Sequence, residues 1–356
     1  MTLLPRRHFL KLAATAVVAA ACAPVTPAAP GATATPAGTV PRPAQSTESP
    51  TRTPPPSPRA APMEIIITET KDLYKQFYAT IPHTTADWTL TIDGSVKKPL
   101  ALSLSEIKAL PAVEVMRTLE CIGNPVGGPL VGNVVWKGAA LKPLFDEAGL
   151  APSAVRAAFE AADEYRTSID LKYINHPGAF LAYEMNGEPL PPEHGFPLRL
   201  FFPGSYGQKM PKWITRIKLV DRDVEGYWEA RGWSDVAQVQ THAIIEQPAG
   251  LSTFALQRVP VWGIANAADV EIVKVEVKIG DDDWREAALL HGPTAEVWTL
   301  WSLDWMPPAP GRYTVLARAT DANGRTQTRA DEGVLGGAFP NGTSAIHRVV
   351  VKIADG

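Results

Sequence analysis

The residues able to do chemistry in this sequence are few and fall into two clusters. Cys121 stands in Thr118–Asn124 (TLECIGN), followed by Pro125–Gly128 (PVGG). A glycine-bearing loop of this kind lets backbone approach a ligand closely. The chain has two cysteines, and the other, Cys22, ends a segment that reads as an export signal. In an exported protein a lone interior thiol has no disulfide partner and is a liability unless something occupies it. A thiolate is a soft ligand suited to transition metals. Zinc would want three or four protein ligands at short spacing, and no Cys-x-x-Cys or His-x-x-x-His occurs. Covalent haem would need Cys-x-x-Cys-His, and an iron–sulfur cluster would need more thiolates. A metal at Cys121 would therefore take most of its ligands from a cofactor. A buried structural cysteine, or a nucleophile with His194 or His176 as its base, are the other readings of this residue.

The second cluster runs from His194 to Trp213. It comprises His194–Arg199 (HGFPLR), Pro203–Gly207 (PGSYG) and Lys212–Trp213. Two fixed cations, an imidazole and a glycine-rich turn can grip a phosphate or another anion. Arg does so with a bidentate fork, Lys as a point charge, and the glycines through backbone N–H groups. A charged strand edge beside an ordinary turn would look similar.

These residues need elements to hold them. The run Glu64–Thr68 is short and β-branched, and Trp88–Asp93 alternates before the turn at Gly94. Ser105 precedes a short predicted helix that Pro111 stops. Val113–Glu120 alternates again, which places Cys121 at the C-terminal end of a strand, where loops commonly carry chemistry. Trp136–Gly149 reads as a helix and the segment leading into it, with Leu141, Leu144, Phe145 and Ala148 at helical spacing and Gly149 as the stop. Strands follow within Ala154–Ile169, Leu198–Phe202 and Trp213–Val220. This mixture predicts an α+β domain over 63–237. From about residue 238 the pattern is all-β, with strands at Val270–Ile279, Tyr313–Thr320 and His347–Ile353. Residues 238–356 therefore read as an immunoglobulin-like sandwich. Trp298, Trp301 and Trp305 read as its core and interface, and His347 as packing.

The N-terminus carries Arg6 and Arg7 before Phe9-Leu10-Lys11, then an apolar run from Leu12 to Ala21 that is too short to span a membrane. This resembles a twin-arginine signal, which exports folded proteins, and suits a protein that takes up a bulky cofactor before leaving the cytoplasm. Ala19–Ala21 before Cys22 read as a lipoprotein cleavage site, with an ordinary signal-peptidase cut nearby as the alternative. The expected signal is 1–22. Residues 23–62 hold 12 of the 34 prolines and are expected to be a disordered tether. The expected location is periplasmic or cell-surface, with Cys22 as a lipid anchor. Removing the three basic residues of the signal leaves 31 bases against 37 acids, which argues against nucleic acid as a partner.

In order along the chain, Thr118–Asn124, Leu181–Leu190, His194–Arg199, Pro203–Gly204, Lys212–Trp213 and Gly226–Trp228 resemble the sulfite-oxidase family of molybdenum–molybdopterin enzymes. The resemblance covers roughly 63–353 and extends to that family's sandwich-type dimerisation domain, so a homodimer is expected from it. It implies that Cys121 ligates molybdenum, with the pterin dithiolene and oxo groups completing the shell. It implies that His194, Arg199 and Lys212 hold the pterin and its phosphate, that Asp163 contacts the cofactor, and that Phe77–Ile81, with Tyr78 and Thr80, forms the first cofactor loop. Molybdenum would carry a two-electron change on a small substrate. Trp233 falls where the family has its active-site tyrosine; Tyr227 and Trp228 are expected to line the pocket, with Tyr227 counted among the catalytic residues, and plain burial is the other reading of the pair.

Several residues depart from the family. Pro125 and Val126 stand where sulfite oxidases carry anion-binding arginines, and Tyr78-Ala79 replaces another. Arg285 is the one candidate to supply a missing cation. These departures argue against a dianion such as sulfite and fit the neutral substrates of a sulfoxide-type reductase of the same superfamily. The chain has no cytochrome b5-type haem domain, so electrons are expected to pass to or from a separate carrier, such as a c-type cytochrome or a membrane redox subunit. A non-catalytic surface-binding protein that kept the fold is the rival from another class.

Overall fold

The computed structural model describes residues 60–62, 64–77, 79–84, 87–328 and 335–355. The expected signal, Cys22, most of the tether and Tyr78 lie outside them.

Strand β1 (Thr89–Gly94) pairs with β2 (Leu100–Ser103), whose end caps helix α1 (Leu104–Lys108). The cap is Ser103, two residues earlier than expected. Its hydroxyl accepts from Glu106 N while Glu106 accepts from Ser103 N, a reciprocal capping box. Strand β3 (Ala112–Glu120) pairs antiparallel with β4 (Val131–Ala140) from Ala112 opposite Ala139 to Glu120 opposite Val131. Trp136 is therefore in a strand. The expectation of a helix start there fails because Val134, Trp136 and Gly138 alternate with Val135 and Lys137, the period of a strand. Helix α2 (Leu141–Ala148) does form, burying Leu141, Leu144, Phe145 and Ala148, and Gly149 ends it at φ +66°.

The chain continues through β5 (Arg156–Ala161), β6 (Arg166–Asp170), the single turn α3 (Leu171–Ile174), β7 (Phe180–Met185), β8 (Glu188–Pro189), β9 (Arg199–Phe201) and β10 (Ile214–Val220). One sheet has the order β2-β1-β10-β5-β6. The other is β3-β4-β7-β8, with β9 on the edge of β7. Side chains from both, including Trp136, Phe159, Phe180, Phe201 and Phe202, meet in one core with α2. The body sets helices beside its sheets as expected, although the sheets build most of the core and the helices are short.

The remaining strands are β11 (His242–Gln247), β12 (Thr253–Phe254), β13 (Val259–Asn266), β14 (Ile272–Ile279), β15 (Arg285–Glu286), β16 (Ala288–Leu290), β17 (Thr299–Trp305), β18 (Gly311–Asp321) and β19 (His347–Ile353). They form a four-stranded sheet, β11-β13-β17-β16, and a five-stranded one, β12-β19-β18-β14-β15. Both contribute to a shared core that contains Trp301 and Trp305. Trp298 instead packs in a separate cluster with Ile65, Ile66, Met116 and Val131. Glu64–Thr68 thus forms no strand. Ile65 and Ile66 cover the seam between β3–β4 and the sandwich, and Asn133 fastens the segment through Ile66 O and Thr68.

Strand β3 is tied to the sandwich along its last turns. Thr118 N donates to Glu296 O at 3.0 Å, and Trp298 N donates to Thr118 Oγ1 at 2.9 Å. Arg117 pairs with Glu296, and His242 Nε2 lies 3.4 Å from Glu120 Oε1 with both side chains 1% exposed. The strand that ends at Cys121 is therefore held on both faces.

Gly138 sits at the register shift between β4 and β7, where any Cβ would overlap Leu181 O. Gly138→Ala is expected to destabilise the protein by about 1–3 kcal/mol, the usual cost of adding atoms to a filled site. The measurement is a lowered denaturation midpoint at unchanged slope.

Candidate active site

Cys121 begins the loop that joins β3 to β4. Its N–H donates to Leu130 O at 3.0 Å, and its carbonyl accepts from Asn124 N at 2.9 Å. The buried Asn124 closes the loop from inside. Its Nδ2 donates to Glu120 Oε1 at 3.1 Å, and its Oδ1 accepts from Leu130 N at 2.9 Å. Gly127 adopts φ +69°, and a Cβ there would overlap the His347 ring. His347, on β19, accepts from Ile245 N at 2.8 Å through Nδ1. The sandwich thus braces the loop that carries the thiol. Burial pushes the Cys121 thiol up. A nucleophilic cysteine needs the opposite shift, whereas a metal deprotonates a thiol that it binds.

Three further groups converge on Gly195. This residue has φ +112°, and a Cβ on it would stand 3.0 Å from Lys212 Cβ and 3.2 Å from Arg199 Cβ. Arg199 and Lys212 face each other across a β-bridge, and His194 ends the 3₁₀ turn before Gly195. The Arg199 guanidinium is buried, 5.1 Å from the Trp136 and Phe201 ring centroids. Its Nη1 donates to His194 O at 3.2 Å, while its buried Nε has no hydrogen-bond partner among the described residues. Burial pulls its pKa down to about 10.

Burial, then Arg199, pulls the Lys212 ammonium down to about 7. It donates to Gln76 O at 2.9 Å and Glu193 O at 3.0 Å, which leaves one N–H, and it rests on the Phe77 and Trp213 rings at 4.2 and 4.4 Å. Burial, then Arg199, lowers His194 to about 4, so its ring is neutral. Its Nε2 lies 3.2 Å from Thr70 O, which only accepts; Nε2 therefore carries the proton and Nδ1 is an acceptor. Among the described residues neither Arg199 nor Lys212 forms an ion pair with a carboxylate, although Asp163 and Glu193 act on Lys212 from a distance; charge buried this way is costly and marks a place built for an anion.

A cavity of about 390 Å³ joins this cationic corner to the thiol. Cys121, Asp163, His194, Arg199, Lys212 and Trp233, all singled out in the sequence, line it. Burial raises the Asp163 carboxyl, towards the form able to donate a hydrogen bond. Two expectations need correcting. Thr80 is exposed and does not line the cavity, because the chain reaches it earlier, through Tyr74, Gln76 and Phe77. Tyr227 does not line it either. Its ring packs edge-on to Trp228 at 4.9 Å with the Arg231 guanidinium 3.5 Å above it, and Trp228 takes the place on the wall. Arg285 is exposed on β15, opposite Val277, and supplies no cation to the cavity. Gln208, Tyr165 and Leu335 line the cavity without having been singled out. The first two lie within the sequence clusters around Asp163 and Lys212, but Leu335 comes from the β18–β19 connection, some 200 residues from Cys121.

Residues 78–228 match the family model described as the oxidoreductase molybdopterin binding domain. The chain is 34% identical over 146 residues to the uncharacterized oxidoreductase YuiH of Bacillus subtilis, covering 41% of this chain and 72% of that one. It belongs to the sulfite-oxidase family of molybdopterin oxidoreductases. It is also 29% identical over 323 residues to the mitochondrial sulfite oxidase of Drosophila melanogaster, covering 75% of this chain and 56% of that protein. Among the eukaryotic relatives first matched it spans between 18% and 56% of their length. The crystal structure of the sulfane dehydrogenase SoxCD of Paracoccus pantotrophus shares the fold, with TM-score 0.70 at 20% identity over 82% of this chain and 84% of that one.

The cofactor of this family is molybdenum–molybdopterin, and the residues present fit it. The orphaned Arg199 Nε, the spare Lys212 N–H and the His194 acceptor form a corner for a phosphate and a heterocycle, while Cys121 offers the one thiol among the described lining residues.

Beneath the cavity lies a second, compensated cation. Lys209 is fully buried; its ammonium donates to Glu229 Oε1, to Ser168 O at 3.0 Å and to Asp235 Oδ1 at 3.1 Å. Thr167 and Gln208 also donate to Glu229 Oε1, at 2.8 and 2.9 Å, and Arg156 grips Asp235 with two 2.8 Å bonds. This network anchors the segment that presents Trp228 and Trp233 to the cavity.

Lys209→Ala is expected to cost about 3–5 kcal/mol, the usual penalty of stripping one partner from a buried ion pair; chemical denaturation measures it. At the other cation, Lys212 is charged below pH 7 and neutral above it, while His194 stays neutral throughout. Sulfate pairs directly with charged Lys212, but above that pH it must bind together with a proton. Sulfate protection of cofactor-free protein is therefore expected to fall between about pH 6 and about pH 9 by linkage. Melting temperatures in sulfate against chloride at equal ionic strength report it, and Lys212→Met should flatten the dependence.

Proposed function

We propose that the protein is an exported molybdenum–molybdopterin oxidoreductase that moves one oxygen atom to or from a small substrate. Bound molybdenum carries the two-electron change, and a separate carrier, such as a c-type cytochrome or a membrane redox subunit, supplies or takes the electrons. In reduction, an oxide substrate takes two electrons and two protons and leaves as the deoxygenated product and water; oxidation is the reverse. The observation that carries this reading is a single thiol sharing one cavity with a buried guanidinium that, among the described residues, has no carboxylate beside it. A binding protein that had lost its cofactor would gain nothing from keeping that cation buried.

The chain's own residues have separable tasks. Cys121 holds the metal. Arg199, Lys212 and His194 hold the pterin and its phosphate, and Asp163, whose carboxyl burial raises, orients it. Trp233 replaces a phenol with an indole, which can donate a hydrogen bond but is not an acid near neutral pH. Proton delivery by this residue is thus not part of the proposal.

Arg6, Arg7 and the Phe9-Leu10-Lys11 run support twin-arginine export, and Ala19–Ala21 before Cys22 support a lipid anchor. A homodimer through the sandwich rests on likeness to the family. The reductase direction is the second reading. It is favoured because Pro125 and Val126 stand where sulfite oxidases carry arginines, and the cations lining the cavity among the described residues are Arg199 and Lys212, both in the corner assigned to the pterin.

Protein from a molybdopterin-competent host is expected to hold about one molybdenum per chain, consistent with one Cys121-type ligand per cofactor. Cys121→Ala should abolish stoichiometric molybdenum while the fold persists by circular dichroism. Wild type free of molybdenum, or full loading of the variant, sinks the proposal.

A further inference from the structure

The two sides of the cavity differ in charge. Among the described lining residues the cations are Arg199 and Lys212, with the imidazole of His194, and all three gather at Gly195. The other side is indole and aliphatic. A Cβ on Gly123 would stand 3.6 Å from the Trp233 ring and 3.8 Å from Cys121 Sγ, so the indole and the thiol flank the same glycine. Trp228 and Leu335 extend this side, and Phe339 meets Trp233 edge-on at 5.1 Å. Leu335 is 55% exposed and Phe339 37% exposed, which places an apolar rim where the cavity opens. The nearby Arg231 lies over the Tyr227 ring with Nη1 on Tyr227 O at 2.7 Å.

We propose that Trp233, Trp228 and Leu335 form the substrate subsite, and that it selects neutral molecules with an aromatic or aliphatic body over oxyanions. The inference rests on the molybdenum–pterin reading above, because the pterin phosphate takes the cationic corner and leaves this wall to the substrate. An oxyanion entering here sheds water and finds neutral N–H donors at most, with no cation on this side to offset its charge. A neutral body gains the burial of its apolar surface. The wall is also pre-formed. Lys209 pins Glu229 and Asp235 on either side of Trp233, and Ser234 N donates to Pro340 O at 3.0 Å, joining the two segments that make the rim. Pre-formed walls bind without an ordering cost.

The test uses three unreactive probes on the holoenzyme by calorimetric titration. Methyl phenyl sulfone is neutral with an aryl body, benzenesulfonate has the same body with one charge, and sulfate has charge without a body. The sulfone is expected to bind about tenfold or more tightly than benzenesulfonate, from the desolvation cost of an unpaired charge, with sulfate weakest. Trp233→Ala should weaken the sulfone about fivefold to tenfold, the scale of one aromatic contact, and Trp233→Phe should restore most of it. Leu335→Arg, on the exposed rim, should shift the preference towards benzenesulfonate without threatening the fold. Benzenesulfonate or sulfate binding as tightly as the sulfone overturns the proposal. So does sulfone binding unchanged in Trp233→Ala and Leu335→Arg. Oxygen transfer is read separately, as reduced-dye oxidation by methyl phenyl sulfoxide: dye oxidation with the ranking reversed sinks the subsite and keeps the oxygen-transfer reading, and an intact ranking without dye oxidation does the opposite.

Discussion

A guanidinium buried against aromatic rings with no carboxylate beside it is the constraint from which most of this site follows. Arg199 carries its charge in a place where burial alone pulls its pKa to about 10, and it depresses its neighbours Lys212 and His194 as well. Such a cluster opposes folding unless an anion compensates for it. The rest of the chain bears that cost. Both sheets of the body and helix α2 contribute to the core that contains Trp136 and Phe201, whose rings hold the guanidinium, and Gly195 removes the Cβ that would push Arg199 and Lys212 apart. Stability and cofactor binding are therefore one problem here, because the bound anion supplies the charge that the fold omits.

Lys209 shows how particular that omission is. It sits three residues from Lys212 in sequence and is the more deeply buried of the two, yet carboxylates from Glu229 and Asp235 surround it. One buried lysine has its counter-charge supplied by the protein and fixes a wall in place. The other is left with a spare N–H and faces the cavity. A sequence pattern of Lys-x-x-Lys cannot separate these roles, since what separates them is which distant carboxylate folds back onto each.

The same physical limit decides what was legible in the sequence. Cys121 at a strand end, the cations at 194–212 and Asp163 were readable because each lies in a short local motif, and the structure brings them to one cavity. The all-β pattern after residue 238 was readable for a similar reason, since strands alternate within a single segment. Trp136 was misplaced because Ala139, Ala140 and Leu141 continue directly into a true helix, and a short apolar run does not say where period two becomes period 3.6. Thr80 was misplaced because the loop has no periodicity to fix its register, so likeness to a family counts residues where the fold instead turns at Tyr74–Phe77. Tyr227 was misplaced because neighbours in a tight turn point apart, and Trp228 received the inward position. Leu335 and Phe339 were invisible because they reach the site from the connection between two sandwich strands, and nothing local records that encounter.

That encounter gives the sandwich a part in the site as well as in the packing. His347 meets the thiol's loop at Gly127, His242 meets Glu120 one residue before the thiol, and Phe339 braces the indole across from it. The catalytic body supplies the sulfur and the cations, all of which lie on its own strands and loops. The sandwich supplies the outer limits of the cavity, through contacts that touch no cation of the corner. Changes on the β18–β19 connection can therefore reshape what enters while leaving the cofactor corner intact. Separating the two jobs in this way lets one anion-binding scaffold accept different substrates, because the residues that set the charge of the mouth are not those that determine whether the cofactor stays.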